Sequence, residues 1–311
     1  MPRRREAMLL AVIAVLCALP ILGVPGFYTL ANLRSLAIDN LPVLLIAAGL
    51  TALIISAEID ISVGSQFAVC GVIAGLTAKS GAPMPLVVAV TLAAGTLLGA
   101  VNGVLVAWAG FPAIIATLAT MVILRHALIW TTGGDWIQNL PASFQWFHLR
   151  QEVAQPLYIV GVLGLFAAFA WALQHTSAGR RFYAVGCDHE AARRIGLNPS
   201  RIIGWTFALV GACTALAALA NFTRYPTIET NSGLGLELKA IAAVVVGGTS
   251  ITGGRGSLGG TLLGVALLGL IGTVLTYLHV NPACEKAIQG LIILGAVVAD
   301  TVQNRRSAAR E

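Results

Sequence analysis

The chain has 311 residues, of which 57% are hydrophobic and 10% are charged. Soluble domains carry about 25% charged residues, so this composition excludes an ordinary soluble enzyme and indicates a protein that crosses a membrane several times. The net charge of +6 is explained by basic residues that flank the apolar runs, and it requires no nucleic-acid partner.

The apolar runs predict an all-α, polytopic membrane protein that forms a single domain over residues 1–311. A membrane-spanning helix needs about 20 apolar residues, and about ten runs meet this requirement. Lys and Arg favour the cytoplasmic side of a membrane, so the arginines at the N-terminus and within residues 177–201 predict cytoplasmic N- and C-termini. In that topology residues 177–201 face the cytoplasm, and residues 131–155 and 223–235 are outer loops. The predicted spans are residues 8–26, 38–57, 62–79, 86–109, 112–132, 156–174, 202–222, 236–250, 257–279 and 283–302.

The second predicted span runs into an acidic segment, ISAEIDISVGS, at residues 55–65. Acidic side chains at membrane depth are costly unless they are solvated, paired or facing a cavity. Glu58 and Asp60 are therefore candidates for an inner gate. Asp60 or Ser62 is equally able to cap the next helix, and the two roles can coexist.

Two predicted spans carry a glycine at every fourth position. Small residues at this spacing let a second helix approach closely, so they predict helix packing within the subunit or across a dimer. The glycines are Gly95, Gly99 and Gly103 in the fourth predicted span, and Gly256, Gly260 and Gly264 at the start of the ninth.

Arg125 lies near the middle of the fifth predicted span. A charged side chain there costs roughly 2.5–3.5 kcal/mol on insertion scales, so it should face protein or water. Arg125 either lines a polar path, snorkels outward or binds exposed backbone carbonyl groups. Asn102 and Glu237 are further candidates for such a path.

Residues 177–201 are the one long charged segment between apolar runs. Asp188 and His189 can cap a short helix there, and Gly196 ends it. The helix is predicted to lie between two loops. The segment is either a solvated connector or the element that a cytoplasmic partner grips.

The sequence predicts no metal or cofactor site. The five cysteines have no CxxC spacing, which favours roles in packing. The glycine-rich run GGTSITGGRGS at residues 247–257 lacks the lysine of a phosphate-binding loop, so the chain has no such ATP-binding motif of its own. The absence of HExxH and GxSxG sequences argues against an intramembrane enzyme.

Several motifs follow one another along nearly the whole chain. Together they resemble the membrane permeases of bacterial ribose-type and other carbohydrate importers of the ATP-binding-cassette class. The run NGVLVAWAGFPAIIATL followed by WTTGGDWIQNLP is most similar to permeases for autoinducer-2 and for rhamnose. The motifs are IDISVGS at 59–65, NGVLV at 102–106, PAIIATLATM at 112–121, TGG at 132–134, EAARRIG at 190–196 and GLELKAIAAVVVGGTSITGGRGS at 235–257.

The resemblance implies an all-helical permease in the bacterial inner membrane, surrounded by lipid, that forms a pathway with a second permease subunit, either identical or a sister chain. It also implies cytoplasmic ATPase subunits, which hydrolyse the ATP, and a periplasmic substrate-binding protein. The coupling helix that meets the ATPase would contain Glu190, Ala191, Ala192, Arg193 and Gly196.

The chain departs from the family pattern at four positions. Ala57 and Glu58 stand where a glycine pair is common, and Ala119 and His126 stand where glycine is common. These positions lie near the inner turn and in mid-membrane. Such changes can alter the choice of solute without disturbing the coupling segment.

The leading hypothesis is a permease subunit of an importer for a monosaccharide or a similar small polar solute. The alternatives are a permease for branched-chain amino acids or nucleosides and a secondary carrier that works alone. Transport that persists without any ATPase would establish the carrier.

Overall fold

The computed structural model describes residues 2–18, 27–281, 286–288, 290–291 and 294–295. The described residues form α-helices and one short 3₁₀ helix, Gln145–His148, and the only paired extended residues among them are Ile137 and Ile228, which form an isolated antiparallel bridge. The helices are α1 Pro2–Ala18, α2 Leu30–Ile55, α3 Val63–Lys79, α4 Met84–Ala107, α5 Ala113–Thr132, α6 Gln151–His175, α7 Ser177–Cys187, α8 His189–Arg194, α9 Pro199–Phe222, α10 Leu236–Val246 and α11 Leu258–Tyr277.

Six of the described helices are long and apolar enough to cross a membrane, namely α2, α4, α5, α6, α9 and α11. The prediction of an all-helical membrane protein is therefore confirmed. The predicted span at 236–250 is wrong as a complete helix, because α10 has only 11 residues and is about 16 Å long. Helix α3 has 17 residues, and the predicted span at 283–302 lies largely outside the described residues.

Helices α2 and α9 form the centre of the bundle, and α4 packs closely along α9. The glycines of α4 make this approach possible. A Cβ on Gly99 would lie 2.3 Å from the Phe207 carbonyl oxygen, and one on Gly103 would lie 2.8 Å from that of Gly204. A Cβ on Gly95 would lie 2.6 Å from the carbonyl oxygen of Gly211. Side chains at these positions would force the two helices apart.

A second glycine contact joins α10 to α11. A Cβ on Gly264 would lie 2.0 Å from the Ala243 carbonyl oxygen, and one on Gly260 would lie 1.9 Å from that of Gly247. Gly256 precedes α11 and lies against Thr249. The short helix α10 is thus held tightly along the first half of α11.

Two breaks interrupt the helices of the bundle. Residues 56–62 separate α2 from α3, and residues 223–235 separate α9 from α10. Helices α7 and α8 lie at one end, which we call the α8 end, together with the last residue of α2. The last residues of α9 lie at the opposite end, beside Ile38 and Asp39 of α2, because Arg224 donates hydrogen bonds to both of these residues.

Candidate functional site

The predicted coupling residues form an exposed, capped helix. The Asp188 carboxylate accepts hydrogen bonds from the backbone N–H groups of Glu190 and Ala191, at 2.8 and 3.1 Å. These N–H groups hold the pKa of Asp188 below its ordinary value. Gly196 follows the helix with a φ of +83°, the left-handed conformation that glycine adopts readily. Asp188 is therefore confirmed as the cap and Gly196 as the end of the helix, whereas His189 is the first helical residue and not a cap. Helix α7 occupies the place of the loop expected before α8.

The outer face of α8 offers charged and apolar groups side by side. Glu190 and Arg193 form an exposed ion pair at 3.5 Å, and Ala191 is exposed beside them. Ala192 faces the protein and is buried. Ile195, directly after the helix, is 73% exposed. A large apolar side chain beside charges is a common composition at protein interfaces.

Helix α7 connects α8 to the rest of the bundle through a compact joint. A Cβ on Gly186 would lie 1.7 Å from the Ile55 carbonyl oxygen at the end of α2. The same oxygen accepts a hydrogen bond from the Gly254 N–H at 2.8 Å. The Tyr183 hydroxyl donates to the Gly256 carbonyl at 3.0 Å. We call this set of contacts the α7 joint, and it touches α2 and the loop before α11 together.

The predicted gate residues Asp60 and Asn102 meet in a buried polar cluster. Asp60 accepts hydrogen bonds from the Ser62 hydroxyl at 2.6 Å, from Gln66 Nε2 at 3.2 Å and from Asn102 Nδ2 at 3.3 Å. Asn102 also donates to the Ser62 hydroxyl oxygen at 2.8 Å. The cluster ties the break between α2 and α3 to α4. Glu58 is half-buried in the same break.

Ala57, also in this break, has a φ of +67°. The left-handed conformation costs a residue with a Cβ about 1–2 kcal/mol. This explains why glycine suits the position that Ala57 occupies.

Arg125 and Glu237 both hold the turn that precedes α10. Arg125 Nη1 donates to the Ser232 carbonyl at 2.9 Å, and Glu237 Oε1 accepts from the Gly235 N–H at 3.1 Å. Glu237 is 8% exposed and packs on Gly64 at the start of α3. Of the three alternatives for Arg125, the structure shows the one in which its guanidinium group binds backbone carbonyl groups. The first turns of α3 and α10 meet at this point.

Sequence reasoning missed a polar cleft between α2, α10 and α11. Two cavities, of about 380 and 290 Å³, are both lined by Asp39 and Lys239. Asp39 forms an ion pair with Arg224 at 2.5 Å. The span predicted from the apolar run begins at residue 38, whereas α2 begins at Leu30, so the polar residues of the first turns of α2 fall outside the predicted span.

No metal site is found in the described part of the chain, where no group of three or more His, Cys, Asp or Glu residues could hold an ion.

The chain is similar to known permeases over most of its length. Residues 32–297 match the family described as "Branched-chain amino acid transport system / permease component". The autoinducer 2 import system permease protein LsrC of Salmonella typhi is 35% identical over 304 residues, which cover 95% of this chain and 85% of that protein. LsrC of Escherichia coli O9:H4 (strain HS) is 37% identical over 297 residues, with coverages of 92% and 85%.

No solved structure matches the chain. The family match and the six apolar helices together show a multi-pass protein of the inner membrane. The chain belongs to the family of branched-chain amino acid transport system permease components.

Proposed function

We propose that the chain forms the translocation pathway of an ATP-binding-cassette importer for a small, sugar-like solute. One observation carries this proposal, namely the similarity to permease proteins of autoinducer 2 import systems over 95% and 92% of the chain. The proposed partners are a cytoplasmic ATPase, a periplasmic substrate-binding protein and a second permease subunit, each of which such an import system requires.

We propose that α8 is the element that contacts the ATPase. Its ion pair of Glu190 and Arg193 is exposed, and Ile195 projects next to it. The Asp188 cap and Gly196 fix both ends of the helix, so the surface is preorganised for binding. Nucleotide-driven closure of the ATPase would then move α8, and the α7 joint would carry that motion to α2 and to the loop before α11.

We further propose that both termini and α8 lie in the cytoplasm. The arginines of residues 177–201 support this orientation. The chain can still cross the membrane about ten times although α3 and α10 are short. In that case the irregular segments at residues 56–62 and 223–235 complete the crossings of α3 and α10. Irregular backbone survives at membrane depth only against protein or a wet cavity, and both breaks are packed against helices or line the cleft.

The direct test is reconstitution of the chain with its ATPase, binding protein and any sister permease in lipid vesicles. Binding protein loaded with autoinducer 2 is expected to stimulate ATP hydrolysis and solute uptake together. Parallel samples with ribose, rhamnose or leucine decide among the solute classes. Uptake that continues without the ATPase would contradict the proposal and establish a secondary carrier.

The coupling assignment has its own test in a charge reversal. Glu190→Lys is expected to reduce co-purification of the ATPase, because it replaces the ion pair with Arg193 by a repulsion. Glu152→Lys is the matched control, since Glu152 is an exposed glutamate paired with Arg150 at 3.7 Å near the opposite end. Equal recovery of the ATPase with both variants would remove α8 from the interface.

A further inference from the structure

We propose that a groove between α2, α6 and α11 binds an anionic phospholipid, with one acyl chain in the groove and the phosphate group at Arg34. The groove is a cavity of about 290 Å³ that residues of these three helices line. We call it the lipid groove. The proposed site depends on the membrane-spanning helices and not on which solute the importer carries.

The lining of the lipid groove is apolar and open to the surface. Eleven of its twelve lining residues are hydrophobic. Leu33, Leu163 and Leu262 each contribute an exposed side chain, one from each helix. The twelfth residue is Asn40, whose amide group lies against Gly269 of α11. Water finds few hydrogen-bond partners on such a surface, whereas an acyl chain gains dispersion contacts there.

The length of the groove matches one leaflet of a bilayer. Helices α6 and α11 both pack on α2, which forms the floor. The lining residues of α2 extend from Leu33 to Leu44, or about 16 Å along the helix axis. Half of a hydrocarbon core about 30 Å thick is roughly the same distance. An acyl chain from the leaflet at the end opposite α8 can therefore lie along the whole groove.

The width of the groove favours a lipid chain over a helix of a second permease subunit. A volume of about 290 Å³ spread over about 16 Å gives a mean cross-section of roughly 18 Å². A helix with its side chains is about 10 Å across, which corresponds to roughly 80 Å². The groove thus has room for a single unbranched chain and none for a helix.

Arg34 supplies a positive charge where the groove begins. Its Nη1 donates a hydrogen bond to Gln155 Oε1 of α6 at 3.3 Å, and Gln155 lies one turn before the lining residue Ile159. Gln155 is neutral, and no carboxylate of the described residues forms an ion pair with Arg34. A guanidinium group has five N–H donors and binds phosphate oxygens in pairs. Arg34 therefore has donors left for a lipid phosphate.

The charge at this rim favours a headgroup with a net negative charge. Arg150, which precedes α6, already pairs with Glu152 at 3.7 Å. The charge of Arg34 is not balanced in this way by the described residues. An anionic phospholipid supplies the missing negative charge, whereas a zwitterionic phospholipid brings its own positive group.

Native mass spectrometry of the full chain in a neutral detergent tests the proposal. The chain is titrated with phosphatidylglycerol or with phosphatidylcholine that carries the same acyl chains, and bound lipid is counted. Arg34→Gln removes the charge at the rim, and Ala266→Phe on α11 fills the groove. The matched controls are Arg150→Gln, which removes a charge that Glu152 already pairs, and Ala168→Phe, which enlarges an exposed alanine of α6 outside the groove.

The wild type is expected to bind one phosphatidylglycerol molecule more tightly than phosphatidylcholine. Arg34→Gln should weaken phosphatidylglycerol binding about tenfold, because it removes a hydrogen bond to a charged group. The preference between the two lipids should disappear with it. Ala266→Phe should weaken the binding of both lipids, and the two controls should bind them as the wild type does.

Three results would overturn the proposal. The first is equal binding of both lipids by the wild type, or unchanged binding of phosphatidylglycerol by Arg34→Gln. The second is equal lipid binding by Ala266→Phe and Ala168→Phe. The third is phosphatidylglycerol that binds the isolated chain but is absent from the assembled importer, which would assign the groove to a second permease subunit. If Ala266→Phe does not fold, Arg34→Gln at the rim decides.

Discussion

The α7 joint leads to a prediction about Gly186. An alanine Cβ at this position would lie 1.7 Å from the Ile55 carbonyl oxygen and 2.8 Å from the Gly254 nitrogen. Both neighbours are backbone atoms, so α7 must move away from α2. Overpacking of this kind costs about 1–3 kcal/mol, and loss of the hydrogen bond from Gly254 to Ile55 adds about 0.5–1.5 kcal/mol. The higher helix propensity of alanine returns about 1 kcal/mol.

The net cost of about 2 kcal/mol would reduce the population of the intact joint roughly thirtyfold. Because α8 itself is unchanged, Gly186→Ala should still recover the ATPase during purification. The number of ATP molecules hydrolysed per solute transported should rise, since motion of α8 no longer reaches α2. A merely unstable protein would instead lose assembly and transport in proportion.

The assay is the reconstituted importer, with ATP hydrolysis and solute uptake measured on the same vesicles. Gly164→Ala is the control, because a Cβ on Gly164 of α6 meets no atom within 4 Å. This variant should keep the wild-type ratio. If Gly186→Ala also keeps that ratio at normal transport rates, the joint does not transmit the motion of α8.

Three further predictions concern stability and the coupling helix. Ala57→Gly should raise the thermal unfolding temperature in detergent, because it removes a left-handed strain of about 1–2 kcal/mol; an unchanged or lower temperature would contradict the strain. Gly99→Ala should lower that temperature, because its Cβ would lie 2.3 Å from the Phe207 carbonyl oxygen, and overpacking costs about 1–3 kcal/mol; Gly259→Ala, whose Cβ meets no atom within 4 Å, is the control. Asp188→Ala should weaken ATPase binding at pH 7. The pKa of Asp188 lies below its ordinary value of 3.8, so in the wild type the stabilisation of α8 by the ionised cap is fully present above pH 3.8 and is lost as the pH falls through the lower pKa of the folded state. If the wild type and Asp188→Ala bind the ATPase equally at pH 7, the cap does not contribute to binding.

The long apolar helices could be predicted from the sequence because each is a continuous run with clear stops. Helix α5 was predicted at 112–132 and extends over Ala113–Thr132. Helix α11 was predicted at 257–279 and extends over Leu258–Tyr277. The residues that begin and end α8 could be predicted equally well, because Asp188 and Gly196 act on residues next to them in the sequence. Local chemistry determines all of these features.

Tertiary features escaped the same reasoning. An apolar run does not reveal whether it forms a complete span or a short helix such as α10, because both bury the same kinds of side chain. The partner of Asp39 is Arg224, 185 positions away, and no local pattern connects them. The polar residues of α2 lie three or four positions apart with apolar residues between them. Such a mixed composition is also typical of a loop, so the polar face is recognised only when the helix boundary is known.

Helix α10 connects the α7 joint physically to the polar cleft between α2, α10 and α11. The loop that follows it contributes Gly254 to the α7 joint, whereas Leu236 and Lys239 in its first turn line the cleft. The helix is 11 residues long and packs on α11 through Gly264, so it can transmit displacement as a rigid rod. A shift of α7 would therefore reach the cleft along about 16 Å of helix. Gly186→Ala should therefore also abolish any ATP-dependent change in the rate at which a charged methanethiosulfonate labels a Ser35→Cys variant in the cleft, and a change that persists would exclude this route.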